Sequence, residues 1–405
     1  MSRKSRFGGL PLLVATAGSF KLLACVCMLQ VGVDSFTPQT ALASHRNFGA
    51  PKLQQSTSLF ALASEILELL DSAQVIDPRN NKQCTALDGL FLSGKSNNKN
   101  NNNPLASILS RTTDPNQKAL IVVMPQLGDF DSAEYAEQLV AIQNDLDNAK
   151  MSLRIIGIGD TNSARRFANF AGLPLDTIRV DPQGKLHLAL NLHGGPDWDI
   201  PSFLPDGILQ WFANYVGANN EDTQEGRRLV ARSWLNYMAM CAGIAAPDTL
   251  PEILRGYFGD KSAPERLRPD ETVRVGDDLI AVTGVTDVKL GPIEYQSLWK
   301  NEKGYQRPAE LATVRLRAMV EVLSNFKEYV PDQKYLHLRG ATYILDNKGQ
   351  VEYEHRDTGV LAYSATMPRP LTFLEPYLGE KALNPLELGD NARAEGSKIS
   401  RVEYG

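Results

Sequence analysis

Cysteine is scarce: four residues in 405, and none between 85 and 240. Cys25 and Cys27 lie in an apolar N-terminal stretch, while Cys84 and Cys241 stand far apart and in no CxxC pair. That argues against a disulfide framework and makes a reducing compartment the simpler assumption. Histidine is nearly as rare. The five residues, at 45, 187, 193, 337 and 355, show no metal-ligand spacing, so neither a metal nor a cofactor is expected. Long apolar runs are missing too: Leu22–Val33 and Trp234–Ala246 are both too short to span a bilayer, so the mature chain is expected to have no transmembrane span. A net basic charge is lacking outside the first 64 residues, which carry a net +5 and leave −10 on the rest. This balance argues against nucleic acid and anionic membrane surfaces as partners. What is present, 43% hydrophobic and 22% charged residues, describes an ordinary soluble globular protein.

The N-terminus reads as an address. A basic start precedes the apolar run 22–33, which has the length of a signal-peptide core. From Phe36 to Ser64 there is no acid, and Ser, Thr, Ala and Gln abound, as in a transit peptide. Together with Ser35-Phe36-Thr37-Pro38 between them, the two parts resemble the bipartite presequences of algae with secondary plastids, although Asp34 and Ser35 replace the usual alanines. The resemblance implies a plastid location; a secreted protein with a disordered start is the alternative. Residues 1–64 are therefore read as presequence, and 65–117 as an N-terminal extension with an Asn-rich loop, six Asn falling within 97–103.

Beyond that loop the pattern is α/β. Leu120–Met124 is a short apolar, β-branched run, as in a strand buried on both faces. After a polar turn, Asp131 or Ser132 can cap a helix over about 132–148, with Glu134 placed for a capping box. A second strand (153–159), a helix (161–171) and a third strand (177–180) follow, a pattern that predicts a parallel sheet covered by helices. Residues 118–205 form the first half of this domain. Residues 206–330 have helical periodicity and read as a mainly helical insertion, with Cys241 in an apolar helix, a strand pair over 279–288, and a long helix from Pro308 to Tyr329. The second half, 331–378, shows a hairpin around Asp346-Asn347-Lys348-Gly349 and a short closing helix; 379–405 is a polar tail.

The order βαβ, insertion, ββα is that of thioredoxin. IIGIGDTNSARRFANFAGLP (155–174) resembles the peroxiredoxin segment that ends in "GLP". RVDPQGK (179–185) is similar to the "SDPDG" that follows it there, and LRGATYILDNKG (338–349) to the "LRGLFIIDKEG" hairpin. The chain resembles the AhpC/TSA group called peroxiredoxin-like 2, in a plastid and cyanobacterial form with an insertion. The resemblance implies a thioredoxin-like central sheet flanked by helices. It places Pro125 at the motif proline, Asp129 at the threonine, Ser132 at the peroxidatic cysteine, and Arg339 at the arginine that stabilises the reacting sulfur. Against the CxxC version of the motif, Asp129 and Ser132 replace both cysteines. A serine hydroxyl is too weak an acid to attack a peroxide as a thiolate does.

Three functions compete. The first is a non-catalytic plastid protein that binds, assembles or regulates a protein partner, with the insertion as the partner surface. The second is a thiol-dependent antioxidant using Cys84 or Cys241 and an external reductant. The third, nucleotide binding, rests on GLFLSGKS (89–96), a formal match to the phosphate-cradling loop that an asparagine tract follows. Asp129, Asp131 and Ser132 have a simpler reading as helix caps.

Overall fold

The computed structural model describes residues 65–90, 116–246, 249, 318, 321–365 and 370–379, with the backbone of short strands between 272 and 305. The apolar run 120–124 lies within β3 (Lys118–Gln126), whose residues from Ala119 onward are all buried. β3 pairs in parallel with β4 (Met151–Ile158), and β4 with β5 (Ile178–Val180). Such strands read as continuous apolar runs because helices cover both faces of the sheet. On the other side of β3, β12 (Ala341–Leu345) runs antiparallel and continues into β13 (Val351–Arg356) through the predicted turn. The helices between the strands are α2 (Phe130–Ala141), α3 (Gln143–Asn148) and α4 (Thr161–Ala171). The helix expected over 132–148 is thus two, parted at Ile142.

α4 shows the local logic most completely. Asp160 accepts from the backbone N–H groups of Asn162 and Ser163, the Ser163 hydroxyl bonds back, and Gly172 ends the helix in the left-handed region. Ala164, Phe167, Ala168 and Ala171 recur at helical spacing on its buried face.

The sheet has seven strands, in the order β13-β12-β3-β4-β5-β1-β2. The last two are not foreshadowed by the sequence pattern. Between α1 (65–72) and the loop at 86–90, β1 (Gln74–Asp77) and β2 (Lys82–Thr85) form a hairpin that adds antiparallel to β5. Ile66 and Leu70 of α1 close one face of the sheet with Val75, Ile121, Val123 and Ile156. Each such side chain contributes about 1.5–3 kcal/mol by leaving water.

The insertion begins with α6 (Asp206–Tyr215), which follows the short α5 (Lys185–Ala189), and with α7 (Gln224–Cys241). α6 and α7 pack through Leu209, Ala231 and Ile200. Gln333 ties α7 to the core: it accepts from the Trp234 indole N–H at 2.8 Å and donates to the Val216 carbonyl at 3.0 Å. Between 272 and 305, strands appear in a region read as mainly helical: β6 (Thr272–Val275) with β7 (Asp278–Ala281), β8 (Asp287–Leu290) with β9 (Ile293–Gln296), and β10 (Lys300–Asn301) with β11 (Gly304–Tyr305). The strand pair expected over 279–288 is therefore corrected, since its two halves take other partners. Much of the helix expected over 308–329 lies outside the described residues; 321–324 and α8 (Phe326–Tyr329) are helical. α9 (Glu375–Leu378) closes the described chain, and no described helix is long and apolar enough to cross a membrane.

Candidate functional site

The turn from β3 to α2 faces the start of β12. Pro125 sits where the β3–β4 register slips, and the Ser132 hydroxyl donates to the Gln126 carbonyl at 3.0 Å, closing the turn. Asp129 occupies the N-cap position of α2, yet no side chain caps the helix. Its carboxylate is drawn away to the Arg339 guanidinium, just before β12, in an ion pair from which both side chains exclude water entirely. The cap reading is thereby corrected for all three residues. Asp131 lies 3.7 Å from the other Arg339 nitrogen and accepts from the Leu361 N–H at 2.6 Å, while Ser132 bonds the turn. A third carboxylate, Asp357, accepts from the Gly340 N–H at 2.9 Å. Gly340 admits no side chain: a Cβ there would stand 2.2 Å from the Val123 carbonyl oxygen and 2.8 Å from Asp357.

Three buried carboxyl groups therefore surround one guanidinium, and like charges packed so closely cannot all ionise. Burial, and then the charge of Asp129, pushes the Asp131 carboxyl well above the usual range. Burial raises Asp357 to about 7, against the pull of Arg339 and the Gly340 N–H. For Arg339, burial opposes the charge, but Asp129 and Asp131 outweigh it and hold the guanidinium protonated. A cavity of about 10 Å³, room for one water, lies beside Pro125, Asp131, Ser132, Tyr135, Thr342 and Asp357.

The insertion covers this cluster. The ring of Tyr237, on α7, lies 5.7 Å from the Arg339 guanidinium carbon. One turn on, at the end of the same helix, the partly exposed Cys241 comes within the field of Asp129, Arg339 and Asp131, with the Tyr237 hydroxyl beside it. Burial and then Asp129 push its thiol up to about 12, although Arg339 pulls the other way. Arg339, already paired with carboxylates, does not outweigh burial and Asp129 to favour a thiolate. Cys84 goes elsewhere, to β2 at the far edge of the sheet beside Arg179, and burial raises its pKa as well. Of the described histidines, His337 pairs with Ser233 at 2.9 Å, and burial, Arg232 and Arg339 lower it to about 4. His355 donates to the Ala362 carbonyl, 3.9 Å from Asp357. Among the described residues no His, Cys, Asp and Glu cluster could hold a metal ion.

Sequence reasoning assigns Pro125, Asp129, Ser132 and Arg339 to one site; the structure adds Asp131, Asp357 and Tyr237, brings the candidate thiol Cys241 to it, and leaves Cys84 elsewhere. The i,i+4 spacing of Tyr237 and Cys241 marks one face of a helix, but nothing in it points at Arg339. Searches of curated proteins and of solved structures returned no match. The sequence model of the AhpC/TSA antioxidant enzyme family matches residues 138–359, more than half of the chain, and so takes in Arg339, Cys241 and Asp357 but begins after the turn of Pro125 to Ser132. With its thioredoxin-like sheet and flanking helices, the chain belongs to the AhpC/TSA antioxidant enzyme family.

Proposed function

We propose that this is a peroxiredoxin-like thioredoxin-fold protein without the peroxidatic cysteine, acting as a non-catalytic binding, assembly or regulatory factor for a protein partner in the plastid. The observation that carries the reading is the Asp129–Arg339 pair: a carboxylate holds the arginine that would otherwise stabilise a reacting sulfur. Ser132 spends its hydroxyl on the turn. The insertion is the partner surface; the outer face of α6 carries Ile208, Trp211 and Tyr215, with Trp211 64% exposed. The leader composition of residues 1–64 supports the location.

A second reading has one observation in its favour. Cys241 lies within the field of Arg339, so a thiol-dependent antioxidant would use Cys241 rather than the distant Cys84. Peroxide consumption by the full-length protein, with thioredoxin or glutathione as reductant, separates the two. The expected result is no turnover above that of the Cys84→Ser, Cys241→Ser double variant. Turnover that disappears in Cys241→Ser alone would replace the first reading by the second.

A further inference from the structure

Two arginines stand apart from this site, on β4 and β5. Arg154 and Arg179 are 3% and 2% exposed, and the strand register puts them on one face of the sheet. Their guanidinium groups converge on the same two carbonyls. Arg154 donates to Asp176 O at 2.9 Å and to Asp88 O at 2.8 Å; Arg179 donates to the same oxygens at 2.9 and 3.2 Å, and to Ile178 O at 2.8 Å. Both Nε atoms are buried without a partner.

Buried charges are ordinarily paired, because leaving water without a counter-ion is costly. Here no carboxylate forms an ion pair with Arg154 among the described residues. Arg179 has only Asp77, at 4.0 Å, and Asp77 is already gripped by Arg79 at 2.6 Å. Asp176, exposed, acts on Arg154 from further off. The nearby Cys84 thiol is kept neutral, since burial raises its pKa. Burial and the neighbouring Arg179 bring even Arg154 down to about 10. The pair lacks an anion.

Gly89 lies beside the pair. It is exposed, at φ +82°, and the point where its Cβ would be lies 3.7 Å from Arg154 Nη2 and 3.9 Å from Arg179 Nη2. Exposed backbone at Gly89 thus lies within van der Waals reach of both groups, with no side chain of its own beside them. Planar guanidinium forks match the oxygens of phosphate. We propose that Arg154 and Arg179 receive a small oxyanion of the phosphate class, admitted at Gly89. The resemblance of 89–96 to a phosphate-cradling loop does not carry this. Its described start follows an antiparallel edge strand, and 91–96 lie outside the described residues. The proposal is also independent of the Asp129–Arg339 site.

Thermal unfolding and calorimetric titration of the full-length protein test it, with sodium phosphate, AMP and ATP each compared with sodium chloride at matched ionic strength. Phosphate alone is expected to raise the Tm in a concentration-dependent way; a response to AMP or ATP but not to phosphate would assign the anion to a nucleotide's phosphoryl group. Arg154→Lys keeps the charge but loses the fork, and should weaken binding by about tenfold or more. Gly89→Asp places a carboxylate beside both guanidinium groups, in a left-handed conformation that aspartate adopts at a smaller cost than most residues. It is expected to raise the Tm in chloride and to abolish the response to phosphate. No shift above chloride from any of the three, or a shift that survives in Gly89→Asp, would overturn the proposal and leave the arginines as a clamp on two loops. If Arg154→Lys fails to fold, Gly89→Asp decides alone.

Discussion

At the scale of single residues, the cluster around Arg339 is held by opposites that cannot be removed one at a time. Arg339→Met leaves the Asp129 carboxylate buried without its partner and should cost about 3–5 kcal/mol in urea unfolding. Adding Asp129→Leu replaces the pair with apolar volume and should restore most of that loss. Failure of the second substitution to recover stability would mean that the loss came from something other than the stranded carboxylate. Asp357 gives a test by pH. Folded, it keeps its proton up to about 7; unfolded, it releases it near 3.8. Stability must therefore fall as pH rises between those values and level off above them, by an amount on the order of 4 kcal/mol. Asp357→Asn can still accept from Gly340 and should be more stable than the parent at pH 8 and little changed at pH 4. Part of the slope should remain in that variant, because Asp131 is shifted in the same direction.

At the scale of elements, legibility follows periodicity. β3, β4, α4 and the β12–β13 hairpin are readable because their apolar residues repeat at strand or helix spacing between recognisable turns. The α4 cap should behave as its geometry implies: Asp160→Ala removes the carboxylate that accepts from Asn162 and Ser163 N–H, leaves the Ser163 arm of the capping box in place, and should cost about 1 kcal/mol, measured by thermal melting. The capping box expected from Asp131 or Ser132 with Glu134 fails because the helix starts earlier, at Phe130, with Asp129 as its N-cap. Nor does Asp129 cap it, since a partner 210 residues away claims its carboxylate. No local rule contains that competition. The β1–β2 hairpin escapes a reading by pattern because its strands have four residues each and only the second half of β2 is buried. The Asn80-Asn81 turn, with Asn81 at φ +57°, is its one available signal. Cys241 reads as inert packing from its apolar neighbours; that it lies over Arg339 depends on how α7 docks, which sequence spacing does not encode.

At the scale of the whole molecule, the thioredoxin-like half of the sheet and the added half serve separate sites. The Asp129–Arg339 cluster joins the ends of β3 and β12 under the insertion, while the Arg154–Arg179 pair sits where β4 and β5 meet the N-terminal extension. The extension also bears on how the chain is cut. β1 is hydrogen-bonded to β5, and α1 supplies Ile66 and Leu70 to the core. Trimming from the N-terminus is then expected to stall before about residue 65, since a cut beyond Gln74 would strip a strand from the sheet and bare the β5 edge to other chains. Limited proteolysis followed by mass measurement should find a resistant fragment beginning upstream of α1; a stable, soluble fragment starting after Thr85 would contradict this. The hairpin in this way sets an inner limit for any trimming of the N-terminus that leaves the sheet intact.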